Sequence, residues 1–481
     1  MIAIIFGRAA QFLLALVMMR VATTLLSPEE MGKVSLVITT IAFFALFLVN
    51  PVGMFINRRL HAWQESGVAW HYLIRYVNYL IFVALIAGMV LLLLYINEWV
   101  SFGISIGWLL LFVCGSLFFN TINQTAIPSL NLLGDSRKFV ALTVATIAAS
   151  FACATLLVQM VQASAQYWLL GLLLGQTLLG VIGTRVLFVR LQKTKALHVP
   201  LTIRWRNLHG LFSFAYPVAL AVGLGWIQSQ GYRYLMEERL GLTELGIFVA
   251  GYGISAGLIA GFESIFATYF QPKFYKRISN DNLSEQSNAW REYAQAILPS
   301  MLITSFFIMA TAPDLTKLLL GPSFRQSAQF VVWGSLAESA RISTAVFGMV
   351  AHARMNTKLL LLPNLVGAAM SISLIWYLTS IYGSDGVGLG LVFSSIVTLL
   401  LTIGITKNHL AVALPLRLFV QSAIMGVVLL VTAKILSQLL DYDGSHLFSF
   451  IRLCVIGLLF LLFQYSMLLP VLRREAVISH T

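Results

Sequence analysis

The chain has 481 residues, 59% of them hydrophobic and only 10% charged, against roughly 25% charged in an ordinary soluble domain. So few charges cannot cover a water-facing surface, so lipid must be the solvent over most of it. The net charge of +13 could suit nucleic-acid phosphates, but its placement along the chain accounts for it without them.

A helix needs about 20 apolar residues to cross the hydrocarbon core of a bilayer. Runs of that kind fall at 2–24, 34–56, 76–97, 104–127, 139–161, 167–190, 208–235, 245–270, 293–320, 327–352, 358–381, 387–406, 417–437 and 449–470. They predict an all-α polytopic membrane protein of about 14 transmembrane helices. The first run holds Arg8 and Arg20 and lacks a small-residue cleavage site, so it reads as a retained span rather than a signal peptide.

An even number of spans puts both termini on one side. With that side taken as the cytoplasm, the inner loops hold 20 of the 31 Lys and Arg residues. The outer loops hold four, Lys33, Arg239, Lys317 and Arg325. Basic residues collect in cytoplasmic loops, so this bias predicts cytoplasmic termini. The two longest connections are 191–207 and 271–292. The basic stretch 191–207 reads as a cytoplasmic linker between two six-helix lobes, 1–190 and 208–406, with two additional helices in 407–481.

An internal repeat supports paired lobes. Leu26-Ser-Pro-Glu-Glu30-Met31-Gly32 follows the first span, and Leu240-Gly-Leu-Thr-Glu244-Leu245-Gly246 follows the seventh, an offset of 214. Lys138 pairs with Lys358 at an offset of 220, and Gly171 with Gly388 at 217. Equivalent points in the topology suggest parallel repeats, as in some transporters.

Catalytic motifs are weak. Gly253-Ile-Ser255-Ala-Gly257 matches a hydrolase nucleophile elbow, which needs a strand-to-helix turn, whereas this stretch lies inside an apolar span. Gly253, Gly257 and Gly261 are instead expected to form a face for close helix contact, and Gly171 with Gly175 another. Gly386, Gly388 and Gly390 follow no strand and read as a turn and helix start. Cys114, Cys153 and Cys454 lie within apolar runs without metal-ligand spacing, so neither disulfide nor metal is expected. No catalytic residue and no cofactor is expected.

Charges at membrane depth are the informative residues, because each is costly unless it faces protein or water. They are Arg8 and Arg20 in span one, Arg233 in span seven, Glu263 in span eight, and Glu338 with Arg341 in span ten. Glu338 and Arg341 could neutralise each other as a structural pair. Arg20 and Arg233 could snorkel to the outer interface. Polar stripes accompany them: Ser116, Asn120 and Asn123 on span four, Gln228 and Tyr232 on span seven, and Tyr252 with Glu263 on span eight. Such stripes hydrogen-bond a neighbouring helix or line a wet cavity. Pro217, Pro299 and Pro363 fall within spans as kinks or hinges.

The stretch Arg20-Val-Ala-Thr-Thr-Leu-Leu-Ser27-Pro28-Glu29-Glu30-Met31-Gly32 resembles the opening signature of bacterial polysaccharide flippases, in the multidrug/oligosaccharidyl-lipid/polysaccharide exporter superfamily. Phe214-Ala-Tyr-Pro217, Glu244-Leu-Gly246 and Leu319-Leu-Gly321-Pro-Ser-Phe324 are similar too. One departure is Tyr232-Arg233, where family members often carry Asp-Arg. The resemblance implies an inner-membrane flippase for undecaprenyl-diphosphate-linked oligosaccharide, the repeat unit of O-antigen, lipopolysaccharide, capsule or exopolysaccharide. It implies membrane lipids, a polysaccharide polymerase and chain-length proteins as partners. Buried guanidiniums can bind a diphosphate bidentately. Arg8, Arg20, Asn120, Asn123, Arg233 and Arg341 are therefore the candidate substrate contacts, with Glu263 and Glu338 as candidate ion-coupling acids.

Three rival readings remain open at this level. A multidrug or cation antiporter would want acidic rather than basic cavity residues. A membrane-bound polymerase or ligase would want a large outer loop, and the outer loops are short. A non-transporting subunit of a polysaccharide synthesis complex would share the composition.

Overall fold

The computed structural model describes residues 2–98, 102–192, 216, 219–220, 222–278, 282–354, 356–410, 416–440 and 446–478. Helices account for nearly all of these, and there is no strand among them. In lipid the backbone must satisfy its own polar groups, which leaves the α-helix as the natural form for these apolar runs.

The chain forms two compact units, 1–226 and 227–481. The first contains α1 (Ile2–Leu25), α2 (Pro28–Glu65), α3 (Ala69–Ile96), α4 (Ile106–Leu132), α5 (Ser136–Met160) and α6 (Ala165–Gln192). Next comes a stretch from Val222 to Ile278 that turns at Gly241, where φ 83 and ψ 173 suit only glycine. Its arms, 222–240 and 242–278, are α7 and α8. The second unit continues with α9 (Leu283–Leu319), α10 (Ala328–Ala353), α11 (Leu361–Tyr382), α12 (Ser384–Thr406), α13 (Leu416–Leu439) and α14 (His446–Ile478).

Twelve stretches among the described residues are long and apolar enough to span. Dividing the longest at Gly241 and adding α10, made less apolar by Glu338 and Arg341, gives about fourteen. Several helices outrun the apolar segments. α2 reaches Glu65 and α8 reaches Ile278, because a helix continues into water wherever its side chains allow. The linker residues 193–207, Phe214 and Pro217 lie outside the described residues. The boundary between the units falls within α7, whose first turns pack on α2: the Trp226 and Phe43 rings are 5.0 Å apart.

The repeated acidic motif has a structural use in the first unit. Ser27 caps α2 by accepting from the Glu30 amide at 3.3 Å. Glu30 Oε2 accepts from the Ala165 amide at the start of α6 (2.6 Å), where a helix N-terminus favours an anion. Lys33 binds both Glu29 (2.9 Å) and Glu30 (2.7 Å).

Two π-turns interrupt the first unit, Ala45–Val49 in α2 and Ser116–Asn120 in α4. A π-turn displaces the regular backbone ladder. In α2 the Tyr79 hydroxyl of α3 donates to the Leu48 carbonyl at 2.7 Å.

Close packing of α5 on α6 runs through Gly171 and Gly175, where an added Cβ would lie 2.2 Å from the Ala154 backbone and 2.3 Å from that of Ser150. The face expected on α8 is different. Gly257 is exposed and a Cβ there meets nothing, whereas Gly251 abuts Ser327 and Phe330, and Gly334 of α10 abuts Tyr252 and Ser255. Periodicity finds glycines along a helix but cannot say which way the helix is turned. Gly171→Val is expected to cost about 3 kcal/mol or more through backbone displacement, while Gly257→Val stays within about 0.5 kcal/mol. Thermal melts in one detergent compare the two, and equal melting shifts would refute the assignment.

Pro363 sits in the first turn of α11, where its missing N–H costs no α-helical bond. Pro299 is interior to α9. Cys114 and Cys153 are half-buried and Cys454 is exposed.

The last two helices pack along α9. Ile303, Leu429, Ile456 and Phe460 form their shared core, with the Phe307 and Phe460 rings stacked at 4.5 Å. Gln464 donates to the Ser300 carbonyl (2.8 Å) and the Thr304 hydroxyl (3.0 Å). Asp314 and Arg452 form a buried ion pair, with Nη2 to Oδ1 at 2.5 Å and Nε to the two carboxylate oxygens at 3.1 and 3.3 Å.

Candidate functional site

In the second unit the mid-span charges come together. Glu338 and Arg341 are one helical turn apart on α10, a spacing that places them on one face. Arg341 Nε donates to Glu338 Oε2 at 2.6 Å, and Nη2 donates to Glu263 Oε2 of α8 at 3.1 Å. The other Glu338 oxygen accepts from the Tyr252 hydroxyl at 2.8 Å. Tyr252 and Glu263 are 11 residues apart, about three turns, so they share the face of α8 turned to α10.

The trio grades from buried to open. The Glu338 side chain is 9% exposed, Glu263 35% and Arg341 41%. A guanidinium has five N–H donors. Two are engaged here, and the remaining three have no partner among the described residues. With both acids ionised, the two carboxylates outweigh the one guanidinium.

An aromatic cluster joins this site to Arg233. Tyr232 is almost fully buried, with its ring 5.4 Å from Phe248 and 6.0 Å from Tyr252. Phe248 in turn lies 4.9 Å from Phe330. Arg233 Nε donates to the Tyr232 hydroxyl at 3.4 Å, and its guanidinium carbon is 5.7 Å from that ring. A tyrosine at 232 thus gives Arg233 a neutral partner.

The other expected residues are dispersed. Arg8 is exposed and reaches Gln11 at 3.4 Å. Arg20 is half-buried, and its carbonyl accepts from Thr23 (3.2 Å) and Thr24 (2.7 Å). Asn120 closes the α4 π-turn and accepts from Gln124 at 3.5 Å. Asn123 is buried between helices, donating to the Gln176 carbonyl (3.0 Å) and the Thr146 hydroxyl (3.4 Å). Gln228 binds Thr398 at 2.9 Å. These last two are helix-to-helix hydrogen bonds, the commoner use of a polar stripe.

Sequence reasoning missed Asp314, Arg452 and Arg185, which stand near the ends of apolar runs rather than in their middles. The acid and base of the ion pair are 138 residues apart, so no local spacing joins them. The described residues contain no His, Cys, Asp and Glu group able to hold a metal ion.

The described residues thus form an all-α chain with about fourteen helices of membrane-spanning length and ionic side chains at mid-span in the second unit. Its fold is similar to that of a solved lipid II flippase, MurJ, in an inward closed conformation, with TM-score 0.64 and 14% identity over 98% of this chain and 99% of that one. It is similar also to an inward-facing multidrug-resistance MATE transporter of the MOP superfamily (TM-score 0.63, 16% identity, 83% and 94% of the two chains). A third likeness is to a MOP-superfamily transporter from Pyrococcus furiosus described by a binding pocket of reversed polarity (TM-score 0.58, 16% identity, 84% and 94%). At such identities the likeness shows the fold. No curated protein matches the sequence. The chain matches the family model described as polysaccharide biosynthesis protein over residues 21–329, and it belongs to that family.

Proposed function

We propose that this protein is a flippase that carries undecaprenyl-diphosphate-linked oligosaccharide across the bacterial inner membrane, delivering repeat units of O-antigen, capsule or exopolysaccharide. Two six-helix lobes, 1–190 and 208–406, would alternate access, with both termini in the cytoplasm. Arg341 carries the reading. Its guanidinium is held mid-span by two carboxylates yet is 41% exposed and has three N–H donors left over, which a diphosphate could take bidentately.

An incoming diphosphate competes with Glu263 for Arg341. The exchange suits the geometry, since Glu263 is the more exposed of the two acids and makes the longer contact. Glu263, once displaced, is left without its cation and becomes the first candidate for ion coupling. Glu338 orients Arg341 and is the second candidate. Arg233, Arg20 and Arg8 would take the diphosphate or glycan at other stages, with Asn120 and Asn123 as further polar contacts.

The excess of acid in the trio also favours a second reading, a cation antiporter, because two carboxylates around one arginine can hold an organic cation. Expression in cells lacking their own flippase separates the two. The flippase reading expects polysaccharide export to return without drug resistance. Arg20→Glu with Arg341→Glu is expected to leave lipid-linked oligosaccharide accumulating in the membrane. Normal export by that double variant would overturn the site, and drug resistance without export would overturn the substrate.

A further inference from the structure

On the flank of the first unit, α3, α4 and α6 enclose a groove of about 480 Å³, within the roughly 300–1,000 Å³ of small-molecule sites. Beneath it α4 and α6 pack closely through small residues: a Cβ at Gly180 would lie 3.2 Å from Asn123, and one at Gly183 2.7 Å from Ile127. Trp70 and Phe188, with rings 4.6 Å apart, close one end, and Phe118, Phe119 and Val181 line the rest.

The groove is apolar apart from one charge. The hydroxyls of Thr177 and Thr184 bond their own helix, to the Leu173 and Gly180 carbonyls at 2.7 and 2.8 Å. That leaves the Arg185 guanidinium and the Trp70 indole N–H, and neither has a polar partner among the described residues. Arg190, one and a half turns on, contrasts with it: it is tied to Asp135 (3.3 Å) and the Leu133 carbonyl (3.4 Å).

The surroundings identify the solvent. Leu174, Leu178, Val181, Ile182 and Val189 form an exposed apolar face of α6. A watery vestibule would not be lined this way, so the face meets lipid. Arg185 lies seven residues before the end of α6, about 10 Å along the axis, within reach of the headgroup zone for a long side chain. Trp70, in the first turn of α3, marks the same level, where tryptophan concentrates in membrane proteins.

We propose that this groove binds one anionic phospholipid from the leaflet on its basic side. The phosphate takes Arg185 and the Trp70 N–H, while one acyl chain lies along Phe118, Phe119 and Val181. The site is independent of the transport reading.

Native mass spectrometry of the purified full-length protein, titrated with phosphatidylglycerol or phosphatidylcholine, tests it. Arg185→Gln is expected to weaken retention of phosphatidylglycerol about fivefold and that of phosphatidylcholine less, since its choline already offsets the phosphate charge. Arg185→Lys retains the charge and most of the preference. Val181→Trp, which fills the groove from an exposed position, removes one bound lipid of either kind. Thermal melts confirm that each variant is folded, and Arg185→Lys keeps the comparison valid if Arg185→Gln is not. Unchanged phosphatidylglycerol binding in both Arg185→Gln and Val181→Trp overturns the site. Preferential displacement of phosphatidylglycerol by undecaprenyl phosphate at equal concentration overturns the phospholipid as its occupant.

Discussion

On the proposed flippase function, polysaccharide export is expected to fall about 100-fold when Arg341 alone becomes glutamate. The substitution sets a third carboxylate beside Glu263 and Glu338 and removes their cation. Breaking a buried pair costs about 3–5 kcal/mol, which the partial exposure of Arg341 reduces toward the lower end. That cost is read in the melting temperature; the loss of export comes from the lost charge-assisted contact to the diphosphate, up to about 3 kcal/mol, roughly 100-fold. Arg341→Met with Glu338→Gln should be better folded than Arg341→Met alone, because it leaves no unpaired buried acid, yet it should be as inactive. The contrast separates substrate contact from scaffolding. Lipid-linked oligosaccharide accumulation and melting temperature, measured on the same variants, supply it. Recovery of export in the neutral double variant would show that Arg341 serves only to neutralise Glu338.

The second large effect lies in the ion pair of α9 and α14. Both partners are mostly buried, with side-chain exposures of 8% for Asp314 and 12% for Arg452. Asp314→Leu leaves an arginine charge uncompensated in an apolar helix pair, at about 3–5 kcal/mol. Asp314→Leu combined with Arg452→Met removes both charges and should be close to neutral or stabilising. A melting series in detergent decides this. Similar losses in the single and double variants would mean that packing, not charge, holds the last two helices to α9.

Much of the fold was legible because its cause is local. A run of some 20 apolar residues must be helical in lipid whatever surrounds it, so the spans could be placed from composition. Helix ends were less legible, since α2 and α8 continue past their apolar segments on polar side chains that no hydropathy sum rewards. The turn at Gly241 shows in the sequence only as one of 35 glycines. At the site, the Glu338–Arg341 contact could be read from spacing. The approach of Glu263 and Tyr252 could not, because it depends on how α8 is rotated against α10. The same ignorance of rotation misplaced the glycine face of α8. Asn123 shows the converse, a polar residue in a suggestive stripe whose hydrogen bonds are already taken by α5 and α6.

The π-turn at Ala45–Val49 carries one residue more than an α-turn in the same rise. If that surplus slid along α2 by a full turn, the residues it passed would swivel by about 100° about the axis, the angle of a single α-helical residue. Such a slide would have to release the Leu48 carbonyl from the Tyr79 hydroxyl. Tyr79→Phe is expected to ease such a slide, and faster amide deuteration around Leu48 than in the parent protein would register it. Unaltered deuteration would mean that the surplus residue is pinned by packing alone.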